Sequence, residues 1–232
     1  MRRAFLLLFL LIPILHAQQD ETRVTSPNGN FEFRLFTGQP TGALWPRIGY
    51  EVFFHGKPLI AASWLGIDIR DQEPFLAENP GFMYADKKPN SAIAHYMQNG
   101  SLGRRLDIEI RAFDDGVAFR YILPPSTPLM DFLIRDEKTE FNFADPSVLN
   151  HLPSKPDFDL PFTVTLPDGE FAEIAQAGPQ LNDPKFPKTY LIRTETGMIT
   201  NLSRNKVDPD TAMAAKTPLT WPWREIRVHS RP

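Results

Sequence analysis

The sequence predicts an all-β protein, a sandwich or barrel built from many short strands. Three observations carry this. Apolar and polar residues alternate with a period of two in segment after segment, as in half-buried strands. Turn pairs such as His55-Gly56, Asp115-Gly116 and Asp168-Gly169 separate those segments. The 23 prolines are about twice average usage, and proline breaks helices and central strands.

Taken in order, Ser26-Pro27-Asn28-Gly29 is a turn, and Phe31, Phe33 and Leu35 then alternate with Glu32 and Arg34 in a first strand. Residues 48–54 and 57–60 flank His55-Gly56 as a hairpin, and Leu65, Ile67 and Ile69 mark another strand. Between Asp71 and Asn99 the periodicity fades among prolines, glycines and asparagines, which predicts a long excursion with one or two short edge strands. The central hairpin spans residues 104–123. Leu106, Ile108 and Ile110 alternate with Asp107, Glu109 and Arg111, Asp115-Gly116 turns the chain, and Val117, Phe119 and Tyr121 resume with Arg120 on the opposite face. Thr139, Phe141 and Phe143 alternate again, and a proline-rich connection runs from Asp145 to Leu160. Phe162, Val164 and Leu166, then residues 170–175, flank Asp168-Gly169. Residues 190–193 and 198–202 flank Glu195-Thr196-Gly197. Asp208 as cap and Pro209 at the first helical position predict one short helix over 208–216. Residues 223–228 form the last strand.

Met1–Ala17 reads as a signal peptide. Arg2 and Arg3 form a charged start, residues 4–15 are apolar but too short to span a membrane, and Leu15-His16-Ala17 suits cleavage. Residues 18–232 then read as a single all-β domain, of sandwich or barrel type, with length for one sizeable core or at most two small ones. Loss of Arg2 and Arg3 with the leader takes the formal charge from −3 to −5. This implies an exported domain of the bacterial periplasm or the extracellular space, with no membrane anchor after cleavage. No basic excess favours nucleic acid. The absence of cysteine excludes disulfides, thiolate zinc sites and a cysteine nucleophile.

Neither a phosphate-binding glycine loop nor a G-x-S-x-G elbow is present. His55, His95, His151 and His229 are scattered, without metal-ligand spacing, and read as surface or turn residues. A mutarotase-like epimerase lacks a plausible His/Glu pair. Asp114 and Asp115 could be a carboxylate pair, but neighbouring turn residues point apart, whereas glycosidase carboxylates face each other across a bond. Asp136, Glu137 and Glu140 form the densest acidic cluster outside the hairpin, read either as a solvated strand start or as a polar rim facing a partner or sugar. Trp45, Trp64, Trp221 and Trp223 can stack on sugar rings or fill the core. No catalytic residues can be nominated.

Several ordered blocks resemble the N-terminal domain of glycoside hydrolase family 97. They are Ser26-Pro27-Asn28-Gly29-Asn30, Tyr50 through Lys57-Pro58-Leu59-Ile60, Ser63-Trp64-Leu65-Gly66, Glu137-Lys138-Thr139-Glu140-Phe141 and Thr217-Pro218-Leu219-Thr220-Trp221-Pro222-Trp223-Arg224. The most specific is Arg111 to Tyr121, which contains a DDGVAFRY-type segment. The resemblance implies a β-super-sandwich similar to mutarotase-type folds, packed in the whole enzymes on a (β/α)8 barrel that carries the catalytic carboxylates of calcium-dependent α-glucosidases and α-galactosidases. It makes Asp114, Asp115, Arg120, Glu137, Trp223 and Arg224 candidates for contact with carbohydrate or a barrel. It also implies that the sandwich lends a glutamate to calcium, at the position Gln176 occupies here. An amide oxygen brings no negative charge, and hard cations prefer carboxylates, so no cofactor is expected beyond calcium by resemblance alone. Two roles follow: a carbohydrate-associated module non-catalytic by itself, or a truncated or split portion of such a glycosidase whose barrel lies elsewhere.

Overall fold

The computed structural model of the chain describes residues 21–100 and 103–230; the signal-peptide segment lies outside them. The chain forms β1 (Thr22–Thr25), β2 (Phe31–Gly38), β3 (Arg47–Phe54), β4 (Lys57–Trp64), β5 (Ile67–Ile69), β6 (Pro80–Lys88), β7 (Ser91–Gln98), β8 (Arg105–Phe113), β9 (Gly116–Leu123) and β10 (Asp131–Glu137). It continues through β11 (Glu140–Asn142), β12 (Phe158–Asp159), β13 (Phe162–Thr165), β14 (Phe171–Ala177), β15 (Thr189–Arg193), β16 (Gly197–Leu202), β17 (Met213–Lys216), β18 (Leu219–Thr220) and β19 (Trp223–His229). The described helices are two 3-10 turns, Pro146–Leu149 and Pro179–Asn182. No described helix is long and apolar enough to cross a membrane.

All pairings between these strands are antiparallel, which short turns between successive strands permit. The largest sheet runs β13-β14-β19-β9-β8-β7-β6, with β18 also on β9. Three smaller sheets, β1-β2-β3-β4, β17-β10-β5 and β11-β16-β15-β12, complete the sandwich. The predicted alternation becomes alternation of burial: Phe31, Phe33 and Leu35 of β2 and Leu106, Ile108 and Ile110 of β8 are buried. Aromatic rings join the layers. Tyr50 of β3 lies 4.8 Å from Phe119 of β9 and 6.4 Å from Phe141 of β11, and Phe33 lies 5.5 Å from Phe119. Such offset and edge contacts add to the area these rings bury.

Two sequence expectations are corrected. The segment from Asp71 to Asn99 contains a long hairpin, β6 and β7, because Ala92, Ala94 and Tyr96 face the core while the partner strand β6 lies at the sheet edge and is largely solvent-facing. Its polar edge hid the alternation. The helix expected over 208–216 is a turn followed by β17. The Asp208 carboxylate accepts from Arg70 (2.5 Å) and from Thr211 Oγ1 (3.0 Å), tying down a turn instead of capping a helix. Met213 and Ala215 then face inward as strand residues paired with β10.

Close backbone approach explains Gly197, where a Cβ would lie 2.0 Å from the Phe141 carbonyl oxygen. Gly169 has φ +89° but open space around it. Gly197→Ala is expected to lower unfolding free energy by about 3 kcal/mol, as overpacking against rigid backbone does. Gly169→Ala is expected to cost only about 1 kcal/mol of left-handed strain. Urea denaturation of both variants checks this; equal losses would refute the steric account of Gly197.

Candidate functional site

On β19, Arg224 shares the inward phase of Ile226 and Val228, so the central sheet turns a guanidinium toward the core. A buried cation needs a partner. Glu137, at the end of β10, supplies it. Arg224 is 1% and Glu137 0% exposed. Arg224 Nε donates to Glu137 Oε1 at 2.9 Å, and Nη2 donates to Oε2. Trp221 Nε1 also donates to Oε2, at 2.7 Å. The Gly66 N–H donates to the Tyr121 hydroxyl (3.2 Å), which bonds Thr139 Oγ1 (2.6 Å), and Thr139 donates to Glu137 Oε1 (2.7 Å). Burial pushes the Tyr121 phenol well above its ordinary value, so it stays a neutral donor. Arg224 Nη2 reaches Thr189 Oγ1 of β15 at 3.2 Å.

Gln176 completes the cluster. It stands directly opposite Arg224 in the β14–β19 register, and its Oε1 accepts from Arg224 Nη1 at 3.0 Å. Gln176, Arg224, Trp221 and Thr189 line a cavity of about 200 Å³ with Leu181 and Phe186. This cavity adjoins a groove of about 1070 Å³, with which it shares Phe186, Pro187 and Lys188.

These residues do not fit calcium. The oxygen offered by Gln176 already accepts from a guanidinium. Glu137, the carboxylate beside it, has both oxygens engaged by Arg224, Trp221 and Thr139. Among the described residues no group of three His, Cys, Asp or Glu side chains is placed to hold a metal ion.

The structure thus brings Glu137, Arg224 and Gln176 together. The reading of Asp136 and Glu137 as a solvated start or open rim is corrected. Asp136 is 2% exposed and accepts from Leu202 N (2.9 Å), Lys138 Nζ (2.9 Å) and Arg204 Nη2 (3.1 Å). Asp136 ends an inward-facing run, Phe132, Ile134, Asp136, with a register shift between Ile134 and Asp136, and Glu137 follows it, also buried. Following that phase along the sequence would have shown Asp136 to be buried.

The other candidates lie elsewhere. Trp223 shows its ring on the opposite face of the large sheet, with the Arg120 and Arg111 guanidiniums 4.3 and 4.6 Å from the ring centre and Glu109 accepting from both. Asp114 and Asp115 sit at the β8–β9 turn and engage different partners. Asp114 Oδ1 accepts from Asn28 N at 3.0 Å, and Asp115 pairs with Arg227 at 2.5 Å. Trp221 is core, Trp64 packs edge-on against Phe36, and Trp45 is exposed. His55 does occupy a turn. His95 instead sits on β7 between Asp107 (2.8 Å) and Asp86 (3.3 Å), stacked on Tyr84, and burial pushes the Asp107 carboxyl up.

A family model described as glycosyl-hydrolase 97 N-terminal matches residues 24–232. No curated protein matches. Among solved structures, a glycoside hydrolase family 97 enzyme from Pseudoalteromonas sp. strain K8, in complex with acarbose, superposes with a TM-score of 0.71 at 19% identity. It is covered over 36% of its length by 90% of this chain. A variant of that enzyme in complex with panose gives a TM-score of 0.72, also at 19% identity and with the same coverage. A beta-arabinopyranosidase gives 0.68 at 17% identity, with 91% of this chain on 40% of that one. These likenesses establish a shared fold, and the chain spans little more than a third of the length of the first of these enzymes.

Two predictions follow from the buried cluster. Arg224→Met alone is expected to cost about 3–5 kcal/mol of stability by stranding the Glu137 charge. Combining it with Glu137→Leu should cost well under the sum of the single losses. Denaturant unfolding of the full cycle measures the coupling, and additive losses would refute the pairing. Calcium titration calorimetry is expected to show no binding tighter than about millimolar. A micromolar site would overturn the account of Gln176.

Proposed function

The chain belongs to the glycosyl-hydrolase 97 N-terminal family, and on that footing we propose that it is an exported, carbohydrate-associated sandwich module that carries no catalytic set of its own. The observation that carries this reading is the coverage: nine-tenths of the chain accounts for 36% of a family 97 enzyme. The remaining length of such an enzyme has room for a (β/α)8 barrel and its carboxylates. In this chain the acids singled out by the sequence serve structure: Glu137 holds Arg224, Asp114 and Asp115 fix a hairpin tip, and Asp136 anchors Arg204.

The surface offers two kinds of contact. Trp223 with Arg111 and Arg120 forms an aromatic and cationic platform, suited to the C–H face and hydroxyls of a sugar. At the other face, exposed Leu181 lines the small cavity beside Gln176, a point at which a barrel domain would make contact. That second contact favours the alternative role, in which the chain works as part of an α-glucosidase or α-galactosidase.

Gentle purification of the native protein from its host, followed by intact-mass measurement, tests these readings. The expected species starts after Ala17, comes from the periplasmic or culture fraction, and releases no sugar from α-glucosides or α-galactosides. A tightly co-purifying barrel protein or a much larger mass would establish the glycosidase role instead. Hydrolysis by the barrel-free chain would overturn the non-catalytic assignment.

A further inference from the structure

The three-stranded sheet ends on β17, whose one edge pairs with β10 and whose other edge pairs with no strand among the described residues. All four residues of β17 line the groove of about 1070 Å³, and residues 183–188 and 203–206 line it with them. Residues 131–133 of β10 line it as well, and along the free edge of β17 alternate residues leave their backbone N–H and C=O groups unpaired by any strand. Natural edges are blunted by short length, bulges, prolines or charges, and of these β17 has short length, with four residues. At β6, an edge of the large sheet, Asp86, Lys87 and Lys88 and a register shift at Phe82/Tyr84 do the blunting. The β17 edge has a regular register, two alanines and a single charge, Lys216.

The charge around the groove is one-sided. Lys185, Lys188, Arg204, Lys206 and Lys216 line it against Asp131 and Asp183, in a chain whose formal charge is −3. Lys216 is paired with Asp131 (2.9 Å) and Lys188 with Asp159 (2.6 Å), whereas Lys185 and Lys206 make no ion pair among the described residues. Arg204 is held in place by the buried Asp136 at 3.1 Å.

We propose that this groove receives an extended acidic peptide segment of a partner polypeptide, added as a further strand on the free edge of β17. The open ladder selects an extended backbone, since strand addition satisfies N–H and C=O groups along its length. The unpaired lysines select carboxylates at alternate positions, where side chains of an added strand project to one face. A sulfated or uronic glycan matches the charge but cannot continue the ladder.

The test uses a fluorescently labelled peptide of alternating Glu and Val, about ten residues long, at the upper range of natural strands. Anisotropy is expected to show saturable binding that weakens with salt. The same peptide N-methylated at alternate residues should bind at least about tenfold more weakly, because it cannot pair with the edge. Lys185→Glu with Lys206→Glu, both exposed and outside the core, should weaken binding on the order of tenfold. Hydrogen exchange within residues 213–216 should slow on binding. Equal binding of the N-methylated peptide, heparin that binds as tightly and displaces the peptide, or no peptide binding at all would each overturn the proposal.

Discussion

The structure depends on one buried ion pair, Glu137 with Arg224, at the point where the sheets of the sandwich meet. Arg224 lies on β19 between β14 and β9, and Glu137 comes from the sheet of β10. Thr189 of β15 and Tyr121 of β9 join the same network. Such a pair adds little net stability over well-packed apolar residues, because desolvation offsets most of its attraction. Its effect is to penalise every other arrangement. A slip of one residue in β19 would turn Arg224 out to solvent and leave Glu137 buried and unpaired. The pair thereby fixes the register of a sheet whose apolar residues alone, Ile226 and Val228, would tolerate repacking.

This constraint divides the sandwich into two kinds of core. Around Phe33, Tyr50, Phe119 and Phe141 the layers join mainly through ring contacts, with a hydrogen bond from the Tyr50 hydroxyl to the Glu140 carbonyl (2.7 Å). Around Arg224 they join through hydrogen bonds: Arg224 and Trp221 donate to the Glu137 carboxylate, and the Tyr121 and Thr139 hydroxyls relay to it, a chain in which the bonds strengthen one another. The polar end also bears the cavity of about 200 Å³ beside Gln176.

The fold was legible where alternation was strong and turns were sharp. The hairpins at His55-Gly56, Asp115-Gly116, Asp168-Gly169 and Glu195-Thr196-Gly197 all formed, because turn chemistry and a half-buried face act locally. It was illegible where tertiary context overrode local signals. Asp208-Pro209 has the chemistry of a helix start, yet the Arg70 guanidinium claims the Asp208 carboxylate. On β6 exposed Met83 and Tyr84 sit among lysines, so no clean period two exists to read. The site was half legible. Glu137, Gln176 and Arg224 were all singled out through family resemblance, but nothing local to any one of them says that they touch, because 39 residues separate the first two and 48 the last two.

That contact gives a physical reason for glutamine at position 176. Glu137 and Arg224 together carry no net charge, and the one guanidinium nitrogen that Glu137 leaves free, Nη1, points at position 176. A neutral acceptor satisfies that donor without adding charge to a cluster that is almost entirely buried. A glutamate there would place two carboxylates around a single arginine and leave one negative charge in excess, which a nearby cation would have to balance. Gln176 removes the need for that cation. Arg224 alone balances the Glu137 charge, and Gln176 takes up its remaining donor without adding a charge of its own.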